Sequence, residues 1–348
     1  MIRFLIVAVS VFLLLLLVGV LLPGKVVVER SVEVNRPAAT VFTVLNGFQS
    51  WVAWSPWAEL DPTAELTLSG PDHGVGAHIE WSGDPSVLGT GRQQIRRSEP
   101  YRVIALDSEL GGHGPSRLRY TVEDGGIGSR VTWRFEAYVR RGEGGLSAIV
   151  GRYFGLFMRR WVASDFERGL ARFKGFVERL PEADFAGAPI ERRVIAPMPV
   201  MMVDGLAGAE AGEVASALAV AFAELSTWAL AHGAALEASP MTIATAGEQG
   251  GQFAAALVLH GEDAMASQDY AVTGRIRAGQ SPGGEAVCLQ HSGPAESTLV
   301  SYERLYAWIA AHGLRESGLS WEHYLSEDSA DPSVSAETDI CLFLAADR

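Results

Sequence analysis

With 348 residues, 48% of them hydrophobic and 20% charged, the chain is too long for one ordinary domain and too apolar for wholesale disorder. Its formal charge of −13 is uneven: Glu191 to Arg348 carries 21 acidic against 7 basic residues, whereas the part before it is nearly balanced. That excess argues against a nucleic-acid surface, which needs Lys and Arg to neutralise phosphates; it suits a cationic or neutral ligand, or serves solubility alone.

The run Phe4 to Leu22 holds no charge and, at 1.5 Å per residue, covers nearly the whole ~30 Å hydrocarbon core of a bilayer. Pro23-Gly24-Lys25 follows at once instead of a small-residue cleavage site, so the segment reads as an uncleaved single-pass anchor over residues 1–24. Arg3 opposes Lys25, Arg30 and Arg36 across the span; an exported, periplasmic soluble part is the expectation.

A first soluble domain is expected over residues 25–182. Lys25 to Val34 alternates as a strand, Pro37 opens a helix with Val41, Phe42 and Leu45 on its apolar side, and Trp51, Trp54 and Trp57 follow three apart. That spacing puts the three indoles along one side of a helix or 3₁₀ turn, where they serve either as core or as a ligand stack. Glu65 to Tyr138 reads as an antiparallel meander ending with Val131, Trp133 and Phe135 on one face, and Leu146 to Leu180 as a long amphipathic helix. His73, His78 and His113, with Asp72 and Glu80, lack metal-ligand spacing, and no metal site or cofactor is expected.

RPAATVF, WVAWSPW with a following Asp-Pro, GVGAHIEW and GTG together resemble the START/SRPBCC superfamily in its polyketide-cyclase-like branch. The resemblance implies a helix-grip fold, an antiparallel sheet wrapped on a long terminal helix, with an apolar cavity for hydrophobic molecules. It implies no shared catalytic set.

Residues 183–189 are rich in Ala, Gly and Pro and read as a linker to a second domain, 190–348. That domain contains a repeat: Phe222 to Gly233 matches Tyr302 to Gly313 at an offset of 80, aligning Leu225 with Leu305 and Trp228 with Trp308. Strand-like runs flank each copy, giving a β-α-β-β unit used twice and an α+β class overall. Cys288 and Cys341 lie in strand-like runs without metal spacing and read as two buried free thiols, although neighbouring strands would let them pair.

The duplication, with LQHSGPAESTLVSYERLYAWIAAHGL and SWEHYLSED, resembles the GyrI-like family of effector-binding domains. By that resemblance Glu322 is a pocket glutamate accompanied by Tyr324, with Trp321, Tyr302 and Tyr306 as aromatic walls. Trp228 and Trp308 are candidates too, or core. A carboxylate among aromatic rings favours a flat cation, which compensates the charge and meets the ring faces. The chain has no helix-turn-helix, G-x-S-x-G, H-E-x-x-H or P-loop sequence, so binding or sensing without turnover is the leading expectation. The alternative is a hydrolase or cyclase in which Glu322 acts as general base on a small electrophile and Tyr324 donates a proton.

Overall fold

The computed structural model describes the chain apart from residues 1, 112–113, 139–145, 207–210, 233–238, 246–251, 260–273, 295–296, 326–336 and 347–348. The chain divides into two compact units, with the main boundary between Asp184 and Phe185.

The first unit begins with helix α1, Ile2–Leu21, whose side chains are almost all exposed. Strand β1 (Lys25–Val34) and helices α2 (Ala38–Leu45), α3 (Trp51–Trp54) and α4 (Pro56–Leu60) follow. Strands β2 (Glu65–Ser69), β3 (His78–Ser82), β4 (Thr90–Glu99), β5 (Val103–Leu110), β6 (Pro115–Asp124) and β7 (Ser129–Tyr138) then lead to helix α5, Leu146–Val177. All seven strands form one antiparallel sheet, ordered β1-β7-β6-β5-β4-β3-β2. Alternation puts Val131, Trp133 and Phe135 on one face, where Phe166, Leu170, Phe173 and Val177 of α5 are buried with them. Trp133 stacks on Phe166 at 3.8 Å, and Gly169 permits that approach: a Cβ there would lie 2.8 Å from Trp133 and 2.9 Å from Pro56. This is the expected helix grip.

In the second unit, strands β8 (Ile190–Ile195) and β9 (Pro199–Leu206) precede helix α6 (Ala211–His232) and strands β10 (Ser239–Thr245) and β11 (Gln252–Val258). Strands β12 (Ile276–Gln280) and β13 (Gly284–Ser292) then precede helix α7 (Thr298–Ala311) and strands β14 (Glu316–Tyr324) and β15 (Glu337–Leu344). The expected β-α-β-β repeat is present as β9-α6-β10-β11 and β13-α7-β14-β15, and the sheet order β12-β9-β11-β10-β14-β15-β13-β8 is symmetric about its centre. Each repeat also has an outer strand that is exchanged. β8 leads into β9 but pairs with β13, while β12 leads into β13 but pairs with β9. The two turns meet where the Ser281 amide donates to the Met198 carbonyl at 2.7 Å and the Met198 amide to Ser281 Oγ at 2.9 Å.

The two helices cover one face of this sheet. Leu225 and Trp228 of α6 pack on Met201, Val203 and Ala255, and Leu305 and Ile309 of α7 pack on Val287, Leu289 and Ile340. The opposite face buries Met202, Met241, Trp321 and Phe343. α6 is itself long and apolar enough to cross a membrane, but its Leu225 and Trp228 are committed to the sheet.

One sequence expectation fails in this unit. Cys288 and Cys341 are not free thiols: they stand directly opposite one another on β13 and β15, 4.1 Å apart at Cα, and form a disulfide. Their shared register, fixed by the hydrophobic pattern of both strands, was not contained in the cysteine spacing.

Candidate functional site

The centre of the second sheet is the β10–β14 pair, in which Thr242 stands opposite Glu322. Strand alternation turns both towards the helices. Glu322 Oε1 accepts from the Tyr302 hydroxyl of α7 at 2.9 Å, and Oε2 accepts from the Tyr324 hydroxyl at 2.9 Å. The Tyr324 hydroxyl is also 3.0 Å from Thr242 Oγ1, and the Phe222 ring of α6 meets Tyr324 edge-on at 6.2 Å. Tyr306 lies one helical turn from Tyr302, its ring 6.4 Å away at 29°.

Burial pushes both the Tyr302 and the Tyr324 hydroxyls well above the ordinary tyrosine range, and the Glu322 charge pushes them further. Both therefore stay protonated near neutral pH and remain donors to the carboxylate. Among the described residues no Lys or Arg forms an ion pair with Glu322. Four of the unit's arginines are held elsewhere: Arg192 by Glu285, Arg193 by Asp339, Arg275 by Glu224 and Arg277 by Asp204. A half-buried anion held only by neutral donors can attract a cation with an apolar body.

The structure thus brings Glu322, Tyr324, Tyr302 and Tyr306 together, but it separates the other candidates. Trp321, one residue from Glu322, necessarily faces the other side of the strand, where it packs edge-on against Phe343 at 5.4 Å; it forms no wall of this site. Trp228 is buried on the sheet under α6, and Trp308 packs at the equivalent place under α7. Two participants were missed, Thr242 and Phe222. The offset of 80 pointed to both, since it relates Thr242 to Glu322 and Phe222 to Tyr302.

In the first unit the three tryptophans are core rather than a ligand stack. Trp51 stacks on Trp81 at 5.5 Å, Trp54 meets Phe173 at 5.3 Å and Trp57 meets Trp133 at 5.7 Å, with all three buried. Ser55 caps α4 through the Trp57 amide, which locks their spacing. A cavity of about 170 Å³ lies beyond them, between the β5–β7 end of the sheet and α5, lined by Leu110, Phe135, Phe154, Met158, Trp161 and Val162. His78 bonds Ser69 at 3.1 Å on the outer strands, and His113 lies outside the described residues. Cys288, Cys341 and Asp339 cluster closely, but the sulfurs are bonded to each other and Arg193 holds the carboxylate, which leaves no thiolate for a metal.

Comparison with known proteins gives two family matches. Residues 25–178 match the model of the family described as polyketide cyclase / dehydrase and lipid transport. Residues 243–345 match that of the GyrI-like small molecule binding domain, whose sheet here also draws on β8 and β9 from upstream. Both likenesses expected from the sequence are therefore found, and both point to small-molecule binding. No curated protein matches the chain. Among solved structures, an uncharacterized conserved protein from Listeria innocua is 19% identical, over 45% of this chain and 92% of that chain, with a TM-score of 0.33. Truncated norcoclaurine synthase from Thalictrum flavum is 16% identical, over 44% and 94%, with a TM-score of 0.34. A protein of unknown function from Staphylococcus aureus is 8% identical, over 44% and 94%, with a TM-score of 0.36.

Proposed function

We propose that this chain is a membrane-anchored receptor for small molecules, with residues 25–182 and 190–348 as its two ligand-binding domains. The observation that carries the reading is Glu322: a carboxylate at the centre of the second sheet, both oxygens satisfied by protonated tyrosines and no cationic partner among the described residues. A planar aromatic cation supplies the missing charge and finds Tyr302, Tyr306 and Phe222 beside it. The first domain takes an apolar molecule in the cavity beside α5.

The 20-residue helix α1, without a charge from Phe4 onward, supports a single membrane span. Disulfides persist in oxidising compartments, and the Cys288–Cys341 bond supports an exported soluble part.

The test is titration of the full-length protein in detergent with a planar cationic dye and with its uncharged analogue. Tighter binding of the cation, lost in Glu322→Gln, is the expected result; equal binding of both dyes by both proteins would reject the reading. Mass analysis of the recovered dye adds a second outcome. A chemically altered product, formed by the wild type and not by Glu322→Gln, would replace the receptor with a hydrolytic enzyme using Glu322 as base.

A further inference from the structure

Helix α5 changes character along its length. Its later residues Phe166, Leu170, Phe173 and Val177 are buried against the sheet, whereas Val150, Phe154, Phe157 and Trp161, which share one helical face, are 61%, 39%, 61% and 58% exposed. Phe154 and Phe157 flank Trp161 at 6.0 and 6.5 Å, so the three rings form a continuous ridge. Arg152, Arg159 and Arg160 interleave with it. In water such a ridge is an unfavourable surface; at a bilayer interface, aromatic rings beside arginines are favoured.

The position of the ridge is fixed by α1. The Tyr153 hydroxyl donates to the Leu15 carbonyl at 2.7 Å. The Arg152 guanidinium donates to the carbonyls of Gly19 and Val20, two that the end of α1 leaves without helical partners. Gly19 makes this crossing possible, because a Cβ there would lie 2.3 Å from Ile149. The start of α5 is thus joined to the last turns of the apolar helix, at the level where a spanning α1 leaves the hydrocarbon. Phe154 and Trp161 also line the 170 Å³ cavity, a volume on the order of that which accepts a benzene ring. The ridge is therefore the lip of the cavity.

We propose that Phe154, Phe157 and Trp161 lie in the bilayer interface and form an entrance through which an acyl chain or similar apolar molecule passes from the membrane into the cavity. This rests on the membrane-spanning reading of α1. The ligand then never crosses water, and the anchor acts to hold the entrance against its source.

The experiment uses the full chain reconstituted in phosphatidylcholine–phosphatidylglycerol vesicles, with and without lipids brominated on the acyl chains. Bromines quench tryptophan on contact, so the wild type is expected to lose fluorescence and Trp161→Phe to lose none. Equal quenching in both proteins, or none in either, overturns the interfacial ridge. Resistance to alkaline extraction reads the anchor separately: a chain that resists extraction but is not quenched keeps the anchor and loses the entrance, whereas an extracted chain has lost the anchor. A second arm replaces part of the lipid with a diazirine-bearing fatty acid. Photolabelling at Met158 is expected in the wild type and abolished by Val162→Phe, which fills the cavity. Labelling unchanged by Val162→Phe would show that the chain does not enter.

Discussion

Thr242 and Glu322 face each other across the central strand pair and are the same position of the two repeats, so the pseudo-twofold axis of the second unit passes between them. The offset that relates them also relates Phe222 to Tyr302 and Ala244 to Tyr324. One copy presents Phe, Thr and Ala to the axis; the other presents Tyr, Glu and Tyr. The backbone is shared and the chemistry is one-sided, a combination that core packing alone does not require.

That asymmetry defines the first prediction. In Tyr302→Phe the second copy takes the first copy's residue, and Glu322 Oε1 loses its donor from α7. The ring and its packing remain, so stability should change by no more than about 1 kcal/mol. Cation affinity is expected to rise or hold, because the carboxylate becomes less satisfied, whereas Glu322→Gln lowers it about tenfold or more, roughly 1.5 kcal/mol. Parallel dye titrations of the two variants check this; equal losses in both would make the site a packing feature rather than a charge.

The tyrosines supply a second prediction, through their response to alkali. Hydroxyls held above the ordinary range near 10 keep a proton in the folded state that the unfolded chain releases. Their contribution to stability is fully present below pH 10 and is lost as pH rises through the folded values. Glu322→Gln removes the neighbouring charge, which leaves burial as the main cause, so Tyr302 and Tyr324 should ionise at lower pH in the variant. Absorbance at 295 nm as a function of pH measures this directly, and coincident curves would mean that the carboxylate does not face the two hydroxyls.

Much of this fold is legible in the sequence because it rests on periodicity. Val131, Trp133 and Phe135 announce one face of β7, and the repeat of Phe222 to Gly233 announces the two halves of the second sheet. What stays hidden depends on pairing between distant segments. Nothing local to Ile190–Ile195 says that β8 will cross to β13, and nothing local to Cys288 says that Cys341 lies opposite. Trp321 shows a different limit. Its closeness to Glu322 in the motif suggests a shared pocket, yet a strand sends consecutive side chains to opposite faces.

The disulfide gives a third prediction. It closes a sequence separation of 53 residues, for which the loss of denatured-state freedom corresponds to about 4 kcal/mol as an upper figure. Reduction, or Cys288→Ala with Cys341→Ala, should lower the stability of the second unit by about 2 to 4 kcal/mol, given a well-packed remainder. Urea unfolding with and without reductant reads the change. An unchanged midpoint would mean that the bond does not form in the folded chain.

Arg36 carries the last prediction. It is buried in the first unit just after β1, and its guanidinium serves the chain where α5 ends. Nε donates to the Leu180 carbonyl at 2.8 Å, one terminal nitrogen donates to the Glu178 carbonyl, and the other donates to the Asn35 carbonyl at 2.7 Å and pairs with Glu182 at 3.2 Å. The Glu178 and Leu180 carbonyls lie just past the last turn of α5, where a cation also meets the negative end of the helix dipole. One planar group thus ties the first strand to the end of the gripping helix. Arg36→Met retains the apolar stem but strands these acceptors, at a cost of about 2 kcal/mol or more. Arg36→Lys should recover only part of that, because a single ammonium has no fork with which to reach three carbonyls. Urea midpoints for the first unit ordered wild type, Lys, Met are the expected result; a Lys variant as stable as the wild type would show that charge alone, and not the geometry of the guanidinium, holds α5 in place.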